Sequence, residues 1–454
     1  MPNFDIMISG CEVMQPDYSI LHDAVILIND GKIVNILKKS DVDASIVGEI
    51  NVDGEKKLAI PGLIDAHTHA AQTLLRGSVV DEPPMVWARI LVPFESSITP
   101  ADVYAGSMLF CLENIKAGIT TFADAGGTHM AEVCKASIET GIRAVITRST
   151  MDQGEFVPDV MKDTAEEAIA KIEELYKAYH GVANDRIRIW FGLRQLLTTT
   201  PALAEATSAR SKELNTGVHT HLAEHFDEVA YSLANYKMRP AEWFDHYGLL
   251  GPNYIGAHSV KLSVGEIELM RERNANAVHC PVSNLRSHGF SKTPFMVARG
   301  INIGLGTDGA SGMRLDLFEP MRLLKNAMQA RYGIEINDPV AIPLMEVFKM
   351  ATMGSARSVM QEKEIGSLEV GKKADVVLLS LKALHLSPTA DLAKTMVANA
   401  GGSDVNDVII DGKLLLRDRK FLHIDEDEVR IKAGEALLRV GKSAGLRLPS
   451  VYAG

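Results

Sequence analysis

His67-Thr68-His69 closes the apolar run 58–66, a pattern that reads as a buried strand with two imidazoles at its exit. Residues i and i+2 of a strand share a face, so both rings can reach one ion. Neutral imidazole is the commonest protein ligand for zinc and suits several other transition metals. A lone His-x-His would be weak, but four more apolar runs end in ligand-type residues. Residues 216–224 carry His219-Thr220-His221 with Glu224 three positions on, and 254–258 end in His258. Residues 275–279 end in His279, followed by Cys280, and 301–308 end in Asp308. Such a series implies one polar cluster built from the ends of several parallel strands, as in a (β/α)8 barrel.

Strand counting agrees with a barrel. Candidate strands begin near Ala59, Thr120, Arg143, Ile187, Gly217, Tyr254, Ala277 and Asn302, with helical patterns between them, for example 101–117 and 165–179. Asp124 ends the second of these strands and either faces the site or serves structure. The flanks differ. Asp30-Gly31 and Asp411-Gly412 each sit between two apolar runs, a hairpin signal, and 374–379 repeats the strand style. The expected organisation is an α/β chain. Residues 1–57 form part of a small discontinuous β-sandwich, 58–365 a metal-dependent (β/α)8 TIM barrel, 366–425 the rest of the sandwich, and 426–454 a helix and tail.

Composition narrows the class. The chain has 454 residues, 46% hydrophobic, so it can bury a large core. A net charge of −11 argues against a nucleic-acid partner, and no apolar run is long enough for a membrane span. No signal-type leader opens the sequence. Cys11, Cys111, Cys134 and Cys280 lack metal-site spacing and read as reduced thiols of a cytoplasmic protein, with Cys280 as packing rather than nucleophile.

The set 61–69, His221-Leu222-Ala223-Glu224, His258, 279–285 and Gly306-Thr307-Asp308-Gly309 resembles the amidohydrolase superfamily. Within it, the set is most similar to the branch of s-triazine hydrolases and S-adenosylhomocysteine/methylthioadenosine deaminases. Gly366 to Asp375 resembles the return of those enzymes into their β-sandwich. The resemblance implies a hydrolase of carbon–nitrogen bonds, a cyclic amidine deaminase, and a homodimer or higher homo-oligomer. It implies one divalent metal on His67, His69, His221 and Asp308, zinc by default, with iron(II) or manganese also suited to the ligand types. His219 shares a strand face with His221; the family form His-Leu-x-Glu favours His221, leaving His219 inside the barrel. His225 is expected at solvent or behind the site, and His279 is expected to orient its neighbours. The lysine that bridges two metals in related enzymes is missing from 187–195.

In that scheme the metal lowers the pKa of a bound water and Asp308 takes its proton. Glu224 shuttles a proton to a ring nitrogen, and His258 polarises the attacking water or the developing alkoxide. For the substrate, a small heterocycle, the resemblance implies that Glu95 grips ribose hydroxyls and that Arg148 binds an amino-acid tail. Trp87 either packs on the ring or anchors a loop. Arg194 stands where the family has a histidine; a five-donor guanidinium favours a carbonyl-bearing or anionic substrate group. Arg286 and His288 are further candidates for the pocket wall. The expected activity is deamination of a purine or adenine nucleoside, pterin or triazine-type ring. One alternative is an s-triazine hydrolase releasing chloride or an alkylamine from the same site. The other is a catalytically silent structural relative, which the complete ligand set disfavours.

Overall fold

The computed structural model describes residues 4–43, 45–82 and 86–444, so the tail expected beyond the last helix lies outside the described residues. Strands β1 (Phe4–Met14), β2 (Ile20–Asn29), β3 (Lys32–Lys38), β4 (Gly48–Asp53) and β5 (Lys57–Pro61) come first. Eight more follow: β6 (Leu63–Thr68), β7 (Ile119–Asp124), β8 (Arg143–Thr150), β9 (Ile187–Leu193), β10 (Val218–Leu222), β11 (Tyr254–His258), β12 (Asn276–His279) and β13 (Ile303–Leu305). The chain then adds β14 (Val376–Ser380), β15 (Val405–Ile410), β16 (Lys413–Arg417) and β17 (Lys420–Phe421).

Strands β6 to β13 pair in chain order and in parallel. The last returns to the first: Asp308 N–H donates to His67 O at 3.0 Å, and Thr307 N–H to Asp65 Oδ1 at 2.9 Å. The helical patterns 165–179 and 101–117 are observed as Ala165–Tyr179 and Pro100–Lys116, and the helix expected from 426 as Glu426–Ser443. Thr99 and Thr164 cap two of these in capping boxes with Asp102 and Glu167, satisfying the first free N–H groups of each helix. Ala66, Ala123, Val145, Trp190, Ile255 and Val278 form a dry cluster inside the barrel, beneath the polar strand ends. No helix among the described residues is long and apolar enough to cross a membrane.

One expected strand is placed differently. The first barrel strand begins at Leu63, not near Ala59, because Lys57–Pro61 pairs with β1 and β14 instead. The sandwich contribution expected to end at 57 therefore runs on to Pro61. Pro61 has no N–H to continue a ladder, and the next two N–H groups change partners. Gly62 donates to Asp375 O in the mixed sheet, and Leu63 donates to Gly118 O in the barrel, both at 3.0 Å. Only glycine fits at 62, since a Cβ there would stand 2.0 Å from Thr120 Oγ1.

The outer strands join as a nine-stranded mixed sheet, in the order β17-β16-β15-β14-β5-β1-β2-β3, with β4 beside β1. Ile33 of β3 and Leu414 of β16 lie in one apolar cluster, so the sheet curls over a core of its own. Its two Asp-Gly turns meet: Gly31 and Gly412 both have positive φ, and a Cβ on Gly412 would fall 2.5 Å from Gly31 Cα. All four cysteines are buried and unpaired, and burial pushes the Cys11 and Cys111 thiols up to about 12.

Arg143 of β8 links the barrel to this sheet. Its buried guanidinium donates to Asp375 Oδ2 at 3.0 Å and Oδ1 at 3.2 Å, with Asp411 at 3.8 Å. Removing the cation would leave the buried Asp375 carboxylate without a counter-charge, while Asp411 keeps Lys373 at 3.0 Å. Arg143→Ala is therefore expected to cost about 3–5 kcal/mol of stability, read as a shift of the urea unfolding midpoint. A loss under about 1 kcal/mol, the scale of an exposed pair, would show that the link contributes little.

Candidate active site

The polar cluster occupies the C-terminal ends of the barrel strands. Its rings all present Nε2 to one point because each Nδ1 is already engaged. His67 Nδ1 meets His219 Nε2 at 2.8 Å, His221 Nδ1 donates to Arg194 O at 2.7 Å, and His69 Nδ1 lies 3.5 Å from Gly126 O. His258 Nδ1 donates to Asn284 Oδ1 at 2.9 Å. Partners of this kind fix the tautomer and aim of metal-binding imidazoles. On the other side, Asp308 Oδ1 stands 3.3 Å from His67 Nε2, 3.5 Å from His69 Nε2 and 4.0 Å from His258 Nε2. His221 Nε2 and His69 Nε2 are 3.3 Å apart.

These groups fit a divalent metal. The Nε2 atoms of His67 and His258 are buried without a hydrogen-bond partner, an arrangement that costs free energy in the protein alone. His67, His221, His258 and Asp308 each offer one atom within 4.8 Å of the others, and His69 adjoins them. Burial keeps the rings neutral, as ligation requires: His69 is lowered to about 3, His67 is also lowered, and His219 and His221 fall well below the ordinary range.

Backbone geometry sets the carboxylate and the fourth ring. His258 and Asp308 hold positive φ of 67° and 63°, which turns each side chain inward where its strand ends. The approach of β13 to β6 needs Gly306, whose Cβ would fall 2.6 Å from His67 O. Buried Asp65 accepts from Thr307 N–H and from its hydroxyl at 2.6 Å, and burial pushes Asp65 up to about 7.

Glu224 lies beside the cluster, its Oε1 2.9 Å from His288 Nε2 and 3.8 Å from His258 Nε2. Burial would raise Glu224, but His258 and His288 outweigh it and hold the carboxyl well below the usual range. His258 moves the other way: burial would lower it, yet Glu224 and Asp308 raise it. Glu228 was not anticipated. It accepts the N–H groups of Ala223 and Glu224, both at 3.0 Å, and so fixes the backbone behind the acid. An acidic residue at a helix start gives no sequence signal for such a role, being the usual exposed complement of the dipole.

The other expected site residues fall into two groups. Glu95 and Arg194 are brought together, with Nη1 3.2 and 3.0 Å from the two carboxylate oxygens, and Gln72 Nε2 donates to Glu95 Oε1 at 2.6 Å. Arg148 instead pairs with Asp163 at 2.6 Å, a carboxylate that also takes Lys171. Trp87 packs on Val92, Met151, Val157 and Met161, as a loop anchor does. Arg286 lies against Gly312, where a Cβ would meet Nη1 at 1.9 Å. Asp124 accepts from Ala70 and Gly126 N–H, shaping the loop after β6, and His279 Nδ1 donates to His258 O. His225 is mostly buried rather than solvent-facing, with neither ring nitrogen hydrogen-bonded.

The pattern of the amidohydrolase family matches residues 58–415. The chain is 35% identical over 435 residues to a 5'-deoxyadenosine deaminase of Methanothermobacter thermautotrophicus, covering 94% of this chain and 97% of that one. It is 36% identical over 384 residues to a 5-methylthioadenosine/S-adenosylhomocysteine deaminase of Caldanaerobacter subterraneus, covering 84% and 86%. Among solved structures, an adenosine deaminase from Xanthomonas campestris with bound zinc superposes with a TM-score of 0.90 at 30% identity, covering 97% of this chain and all of that one.

Proposed function

Since the chain belongs to the amidohydrolase family, we propose that it is a metal-dependent hydrolytic deaminase. It exchanges the amino group of an amino-substituted N-heterocycle, of adenine-nucleoside type, for oxygen and releases ammonia. The observation that carries this is the convergence of four imidazoles and Asp308 on one point, with Glu224 at its edge. The nucleoside deaminases named above support the substrate class.

His67, His69, His221 and Asp308 would hold one metal, zinc as in the Xanthomonas structure. A divalent ion there supplies Lewis-acid polarisation and a nucleophilic water near neutral pH. Asp308 accepts one water proton and returns it to the departing amine. Glu224 carries the other to the ring nitrogen beside the attacked carbon, so that C–O forms as C–N breaks and the protons balance. His258 gives its Nδ1–H to Asn284, which aims its Nε2 face at the side of the site where the attacking oxygen would develop negative charge.

The metal assignment predicts one equivalent of zinc per chain by elemental analysis. His67→Ala should lose both metal and turnover while the far-ultraviolet spectrum is kept; two equivalents in active enzyme would overturn the single site. Glu224→Gln should keep the metal and lose about 10²–10⁴-fold in kcat. Turnover within a few-fold of the parent would remove Glu224 from the proton path.

Substrate choice turns on the buried Arg194–Glu95 pair. Arg194 and Gln72 orient the Glu95 carboxylate, the group suited to two vicinal hydroxyls. Arg148 is already balanced by Asp163, which favours nucleosides without an anionic tail. A second reading draws on Arg194 Nε and Nη2, from which no described residue accepts; they could instead take a ring carbonyl. A panel of adenine nucleosides, oxo-substituted aminopurines, pterins and chlorinated or aminated triazines, scored for ammonia and chloride, separates these. If the pair serves Glu95, Arg194→Ala and Glu95→Gln should both impair nucleosides by about tenfold or more, as loss of a charge-assisted bond does. If oxo-substituted rings alone suffer from Arg194→Ala, Arg194 reads the ring. Chloride release as the main activity would make the protein a triazine hydrolase.

A further inference from the structure

The turn Asn284–His288 touches the catalytic machinery twice. Asn284 Oδ1 accepts from His258 Nδ1 at 2.9 Å, and His288 Nε2 lies 2.9 Å from Glu224 Oε1. The two residues sit four apart on one turn of π-type helix, a local form that concentrates at functional sites. The turn is anchored outside the site. Lys261 Nζ donates to His288 O, and the chain then reverses at Gly289, whose N–H donates to Asn284 O at 2.6 Å and whose φ is +100°.

Glu224 is thereby held at both ends. Glu228 takes its backbone N–H at 3.0 Å, while His288 approaches one carboxyl oxygen and no described residue donates to the other. An N–H directed at Oε1 opposes a proton on that oxygen, so a protonated Glu224 carries its hydrogen on Oε2. His288 is itself largely buried, at 16% side-chain exposure, and its ring centroid is 6.0 Å from that of His258.

We propose that the Asn284–His288 turn is a clamp on the catalytic pair, and that His288 is a positioning residue that directs the Glu224 proton to Oε2, toward the substrate. This rests on Glu224 being the proton carrier of the deaminase reading. His288 acts through Glu224 and exchanges no proton with the substrate.

The test uses the metal-loaded full chain, with His288→Phe to keep the ring's bulk without a donor and His288→Gln to restore an N–H. Each is made alone and with Glu224→Gln, and ammonia release gives kcat and KM while metal content and Tm report folding. His288→Phe is expected to lower kcat about tenfold or more at nearly unchanged KM, as loss of a hydrogen bond to a charged group does. His288→Gln should recover most of that loss. With Glu224→Gln present, His288→Phe should add nothing further, since both changes act on one group. An equal loss in both backgrounds, a change confined to KM, or full activity of His288→Phe would each overturn the proposal. If Glu224→Gln is itself fully active, the deaminase role of Glu224 falls first, and with it the ground for the clamp.

Discussion

The contact between the first and last barrel strands is the constraint on which the site depends. His67 and His69 leave β6 more than two hundred residues before Asp308 leaves β13, and no local preference can bring them together. Three hydrogen bonds do so: Asp308 N–H to His67 O, and the Thr307 N–H and hydroxyl to Asp65. The same backbone bond that closes the barrel sets Asp308 against the His67 ring. Closure and ligand geometry are therefore one event, and Gly306 is small because the seam passes within van der Waals contact of His67.

The seam also explains the electrostatics. Burial at the barrel mouth disfavours the charged form of each ring, and carboxylates within reach oppose it. For His67, His69, His219 and His221 burial outweighs any carboxylate nearby and holds the pKa below the ordinary range. At His258 the balance tips the other way, because Glu224, Asp308 and the hydrogen bond to Asn284 together outweigh burial.

Sequence made most of this legible, for a definable reason. Strand-exit residues are marked by the end of an apolar run, so His67, His69, His221, His258 and Asp308 could be collected before any contact was known. The hairpin turns at Gly31 and Gly412 and the helix at Ala165–Tyr179 were equally plain, being local. The strand at 57–61 was misplaced because an apolar run carries no label for which sheet it joins. Only the switch of N–H partners at Gly62 and Leu63 reveals it. Glu228 gave no signal, an acidic residue at a helix start being ordinary, and the contact of Gln72 with Glu95 is made between segments twenty-three residues apart.

Specificity was the least legible part, and the Arg194–Glu95 pair shows why. Each residue could be assigned a separate task in the substrate pocket, one for hydroxyls and one for a carbonyl. Buried opposite charges within reach of each other do not remain separate, because leaving either unpaired costs several kcal/mol. The fold places them 3.0 Å apart, so they form one polarised unit where the residue types suggested two independent groups. Pairing between segments separated by about a hundred residues is a tertiary fact, which residue types alone do not carry.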